Sequence, residues 1–163
     1  MTGFAAAFQA AVTHYGNQRR RTIVASTAAA RRAALYLRRF VANVVEALEA
    51  MLSAFGRSTV TAELVRLAIS AVLPLGITLP KTRHCTTQSE VEAKVVALTK
   101  AAGVVAPCAA LQSLVVDVTG LVHALAAEAV AQSTLVRGPL SLDEVDVTAA
   151  CEALGLETAC STD

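Results

Sequence analysis

The chain has 163 residues, 55% of them apolar and 17% charged, with a formal net charge of +1. That length suits one domain able to bury a sizeable core, and that composition excludes a chain kept disordered by low hydrophobicity and high charge. Four Phe, two Tyr and no Trp leave Ala, Val and Leu to fill the interior, which favours closely packed helices.

The opening MTGFAAAFQAAVTHYGNQ has no basic residue ahead of its apolar run and carries Gln9 within it, so no signal peptide is read and an intracellular (cytoplasmic) chain is expected. Thr2 is placed to cap a first helix that stops at Gly16 and Asn17. A long second helix lies between Gln18 and Phe55 and ends at Gly56. Its start is open, because the AST at 25–27 offers a second N-cap and would leave Arg19 to Arg21 in a connecting arm. A third helix is expected from Ser58 or Thr59 to Leu73, ahead of Pro74. Residues 74–88 form a long irregular connection with two prolines and a glycine. Overlapping capping boxes, Thr87 with Glu90 and Ser89 with Glu92, mark a fourth helix that stops near Gly103. Pro107 suits the first turn of a fifth helix, about 107–137, which ends before Gly138 and Pro139. Ser141 with Glu144 opens a sixth, and Gly155 closes it. No fixed-period repeat and no hairpin signal is found.

The fifth helix is apolar around its circumference, through Leu111, Leu114, Val115, Val118, Leu121, Val122, Leu125 and Val130, so it is expected at the centre. Gly120, Ala124, Ala127 and Ala131 on it would let neighbouring backbones approach closely. The fold class is therefore all-α: a single-domain bundle of about six helices, spanning 1–163, around that central helix. Asp117, His123 and Glu128 interrupt it, as Glu63 and Arg66 interrupt the apolar stretch of the third helix, so buried bundle helices rather than membrane spans are expected. Asp117 and His123 fall on different faces, which favours buried polar groups satisfied by neighbours over a catalytic set.

The densest feature is RRRTIVASTAAARRAALYLRRF at 19–40, with seven arginines and no acid. Separations of 7 and 11 return to nearly the same azimuth on a helix, so a continuous helix would gather six of Arg19, Arg20, Arg21, Arg31, Arg32, Arg38 and Arg39 on one stripe. Ile23, Leu37, Phe40, Val41, Val44, Leu48, Met51, Leu52 and Phe55 would form the opposite, core side. A solvated face normally mixes signs in i,i+4 pairs, whereas here the first acid after Arg19 is Glu46. Arginine's planar fork suits phosphate or carboxylate. Residues 1–84 hold 11 Lys and Arg against 3 Asp and Glu, and residues 85–163 hold 3 against 10. The acidic half can therefore cover the arginines, within one chain or a neighbour, or leave them free for an external polyanion.

Catalytic and metal constellations are sparse. His14, His84 and His123 are scattered, and Cys85, Cys108, Cys151 and Cys160 lack C-x-x-C spacing, so four free thiols and no metal or cofactor are expected. The expectation is a non-enzymatic, self-associating protein that binds a polyanion, RNA before DNA, through the seven arginines, with backbone rather than base recognition because aromatics are few. Its composition is compatible with a viral coat, nucleocapsid or RNA-binding accessory protein. The competing expectation is a protein-interaction module whose groove captures a partner helix.

Overall fold

In the computed structural model, residues 2–74, 76–80, 85–136 and 141–160 are described. The elements run α1 (Gly3–Gln18), β1 (Val24–Ala25), α2 (Thr27–Phe55), α3 (Ala62–Val72), α4 (Cys85–Ala101), α5 (Cys108–Val136), β2 (Ser141–Leu142) and α6 (Glu144–Ala153). The chain is an all-α single-domain bundle, as its periodicity implies, with one short parallel pair between β1 and β2.

The helix starts follow local chemistry. Ser26 accepts the Ala29 N–H at 3.1 Å and Thr61 accepts the Leu64 N–H at 3.2 Å, so hydroxyl caps open α2 and α3. The first helix opens differently. Thr2 occupies the N-cap position but its side chain makes no cap bond; Glu90, reaching across from α4, accepts the Gly3 N–H at 2.8 Å. A carboxylate at a helix N-terminus satisfies an orphan donor and complements the helix dipole, and this one joins two helices.

Several expected boundaries move. The fourth helix begins at Cys85, so Thr87 and Ser89 lie inside it rather than at its cap, and the irregular connection ends before residue 85. Asp143 is the N-cap of α6, its N–H donating to the Asp146 carboxylate at 2.9 Å; Ser141 belongs to β2 instead. The first helix runs past Gly16, which is buried because the returning chain packs on it: a Cβ there would lie 3.0 Å from the Cβ of Ile23. The expected end of α5 at Gly138 and Pro139 lies outside the described residues.

A repeat that the sequence does not display is plain in the architecture. Helices of 16, 29 and 11 residues are followed by helices of 17, 29 and 10. The segment between α1 and α2 pairs with that between α5 and α6, Val24 opposite Ser141 and Ala25 opposite Leu142. At the other end the segment between α2 and α3 meets that between α4 and α5, where the Val60 N–H donates to the Val105 carbonyl at 3.0 Å. Two helix–long helix–helix units thus clasp each other, first joint to second joint, about an approximate two-fold. Both long helices touch every other helix. Apolar positions recurring every three to four residues explain this: Leu37, Phe40, Val41, Val44 and Leu48 of α2, and Leu114, Val118, Leu121, Val122 and Leu125 of α5, are all buried. Phe55, assigned to the core side from spacing, is 60% exposed because it lies in the last turn of α2, beyond the reach of the packed layer.

The central helix Cys108–Ser133 is long and apolar enough to cross a membrane, but its window is 67% buried inside the bundle. Its polar residues are accommodated within the bundle. His123 is fully buried with Nδ1 3.1 Å from the Tyr15 hydroxyl, and burial pushes the Tyr15 phenol above its usual range.

Candidate polyanion interface

The seven arginines do not form one stripe. The chain leaves the helical path at Gln18 and resumes it at Thr27, so the second cap at Ser26 is the one used and Arg19, Arg20 and Arg21 lie in the arm between. All three are exposed.

That arm has an unusual backbone. The Arg21 N–H donates to the Gly16 carbonyl and the Arg20 N–H to the Asn17 carbonyl, both at 2.9 Å. The same pair of bonds ends α2, α4 and α6, where the residue held in the left-handed region is Gly56, Gly103 and Gly155. In α1 that residue is Arg20, with φ of 56°. A side chain there costs about 1 kcal/mol or more relative to glycine, so the geometry alone does not favour arginine. Arg20→Gly is expected to raise the melting temperature by roughly 2–4 °C, readable by thermal unfolding.

The remaining four sit on α2 and divide between two flanks. Arg32 and Arg39 face α6, the acidic side. Arg32 Nη2 lies 3.5 Å from Glu144 Oε2, with both side chains well exposed, so this pair contributes at most about 1 kcal/mol. Tyr36 meets Thr148 at 3.3 Å on the same flank. Arg39 lines a cavity with Glu152 and Glu157, and its Nε is buried with no hydrogen-bond partner among the described residues. The acidic half therefore does cover part of the arginine set, within one chain.

Arg31 and Arg38 take the other flank, against α1 and α4. They line a groove of about 260 Å³ with Phe4, Ala34, Leu35 and Lys94. Among the described residues neither arginine is ion-paired with a carboxylate. Glu90, one turn before Lys94, is engaged by the Gly3 N–H. Three cations thus converge on one groove, and Lys94 was missed because it belongs to the acidic half and only the packing of α4 beside α1 and α2 brings it there. Arg38 also borders a second groove of about 410 Å³, between α2 and α4, that includes Glu46 and Glu49.

The other side chains singled out for chemistry do not converge. Among the described residues no group of three or more His, Cys, Asp and Glu is arranged to hold a metal. His14 and His123 come near each other: with Tyr15 they form a three-ring cluster, the histidine centroids 6.3 Å apart and each pair edge-on, in which His123 is buried and His14 and Tyr15 are half-buried. His84 lies outside the described residues.

No family model matches the chain, and no curated protein matches it at a significant level. A solved structure does: the crystal structure of the histone from Methanopyrus kandleri is similar at a TM-score of 0.64 over 94% of this chain and 97% of that one, with 18% sequence identity. The likeness spans both helical units and assigns the fold.

Proposed function

We propose that this is a non-enzymatic, self-associating nucleic-acid-binding protein that contacts phosphates through two cationic clusters, Arg19 to Arg21 in the arm after α1 and Arg31, Arg38 and Lys94 in the groove where α1, α2 and α4 meet. The observation that carries the reading is the convergence of Arg31, Arg38 and Lys94, without a paired carboxylate among the described residues, on a fold like that of a histone. Histones hold DNA by arginine and backbone contacts to phosphates and to the narrow groove, without reading bases. Few aromatics and many exposed arginines suit that mode here. The sequence alone favoured RNA. The histone likeness favours a duplex, and duplex DNA before RNA; the coat or nucleocapsid version rests on composition alone.

Self-association is supported by a second surface. Phe55 and Leu67 are 60% and 50% exposed, and they border a groove with Leu64, Arg57 and Glu63. A patch carrying one cation and one anion is self-complementary across a two-fold, Arg57 of one copy facing Glu63 of the other.

The interaction-module reading is favoured by one feature, the groove between α2 and α4 lined by Val41, Ala42, Val45, Leu98 and Ala102. Salt separates the two. Titration of labelled duplex DNA and duplex RNA of unrelated sequences between about 50 and 200 mM salt should give affinities that fall steeply with salt and hardly vary with sequence. Absence of binding at the low-salt end, or an affinity indifferent to salt, would remove the nucleic-acid reading.

A further inference from the structure

Beyond α6 the chain turns back on itself. The Leu156 N–H donates to the Cys151 carbonyl at 3.0 Å, and the Cys160 N–H to the Leu156 carbonyl at 2.9 Å. Leu156 and Ala159 are buried, and Asn43 of α2 donates its Nδ2 hydrogen to the Ala159 carbonyl at 2.9 Å, which fixes the turn against the bundle. This path brings Cys160 back onto Cys151, and the two side chains hydrogen-bond each other.

Buried cysteines are usually inert packing residues. Three features set this pair apart. The returning turn sets the two residues side by side. Although each residue is only 3% exposed, both line a surface cavity of about 260 Å³. That cavity also holds Arg39, a cation close enough to act on Cys160. The thiols are not equivalent: the bond from Cys160 holds Cys151 below the usual thiol range, against the opposing effect of burial and of Glu157 and Glu152. The same bond, with burial, pushes Cys160 far up. Cys151 is the candidate attacking sulfur and Cys160 the candidate proton-bearing neighbour, an order that serine at each position in turn distinguishes.

We propose that Cys151 and Cys160 form an oxidation site at which a small hydroperoxide converts the two thiols into a disulfide that locks the C-terminal turn onto α6. The Cys151 sulfur attacks one oxygen of hydrogen peroxide, the O–O bond breaks, and the departing hydroxide takes up a proton as water. Cys151 is then a sulfenic acid. The Cys160 sulfur displaces that hydroxyl, which leaves as water with the Cys160 proton, and the S–S bond closes. In sum two thiols lose two electrons and one peroxide becomes two waters. The cavity is large enough to admit a peroxide.

The test begins with the parent protein. Cys151 and Cys160 lie on one tryptic peptide, 138–163, apart from Cys85 and Cys108. After folded protein is treated with hydrogen peroxide and alkylated, that peptide should be lighter by two hydrogens and unalkylated, restored by dithiothreitol. The melting temperature of the oxidised form should rise by roughly 5–10 °C, as expected for closing a ten-residue loop. In Cys160→Ser the sulfenic acid should persist on Cys151 and be trapped by dimedone. The proposal fails if the peptide stays fully alkylated, if it gains oxygen without closing the bond, or if Cys85 or Cys108 oxidises first. It also fails if dimedone labels Cys160 in Cys151→Ser as readily as Cys151 in Cys160→Ser.

Discussion

Glutamine at Arg31, Arg38 and Lys94 together is expected to leave the melting temperature within about 2 °C of the parent and to cut duplex affinity at 0.1 M salt by up to roughly 500-fold. The stability half rests on geometry: neither arginine is ion-paired with a carboxylate among the described residues, and glutamine keeps a good helix propensity. The affinity half rests on counterion release, where each lost phosphate contact lowers the slope of log affinity against log salt by about 0.9 and, against a common value near 1 M, loses about that many decades at 0.1 M. The loss should be the same for unrelated duplexes, because phosphate contacts carry no sequence information. Arg32→Gln supplies the contrast. Its guanidinium already faces Glu144, so its removal should change the slope less. An equal loss from Arg32→Gln alone would move the contact surface to the α6 flank and sink the assignment of the groove.

How much of this was legible in the residues depends on whether a signal is local. Ser26 and Gly56 announce helix ends because their chemistry acts on the adjacent turn, and both do so in the fold, whereas α3, expected from Ser58 or Thr59, starts at Ala62 behind the cap of Thr61. The apolar circumference of α5 announces burial for the same reason. Glu90 misled: its spacing from Thr87 imitates a capping box, while its actual partner is the Gly3 N–H, 87 positions away. The arginine stripe failed on one backbone event, the left-handed turn at Arg20, where no glycine marks the end of α1. Glycine marks the corresponding end of α4 at Gly103, so the repeat was hidden by substitution at one of its most diagnostic positions. Opposite net charges in the two halves hid it further. The cluster at Lys94 is tertiary throughout, since it needs three helices from both halves to exist.

The two units also share a way of using the chain that follows them. After α6 the turn at 156–160 lies on α2, tied by Asn43 and lining a cavity with Arg39. After α3 the segment at Leu79 and Pro80 lies on α5, and there the contact is with Gly120, 81 positions beyond Arg39. A Cβ at Gly120 would stand 2.7 Å from the Pro80 carbonyl oxygen and 3.2 Å from the Leu79 Cβ. Backbone cannot yield as a flexible side chain can, so the segment must lift or α5 must shift.

Gly120→Val is therefore expected to destabilise the fold by about 3 kcal/mol or more, a drop in melting temperature of roughly 6–12 °C. Gly120→Ala isolates the cause. Alanine is worth up to about 1 kcal/mol over glycine in a helix interior, so an open site would be stabilised, whereas a clash with Pro80 leaves a net loss. Ala127, one face-equivalent step along α5, gives the control, since Ala127→Gly should lose only that propensity. A rise in the melting temperature of Gly120→Ala would mean that this segment does not rest on α5, and the matched wrapping of the two units would go with it.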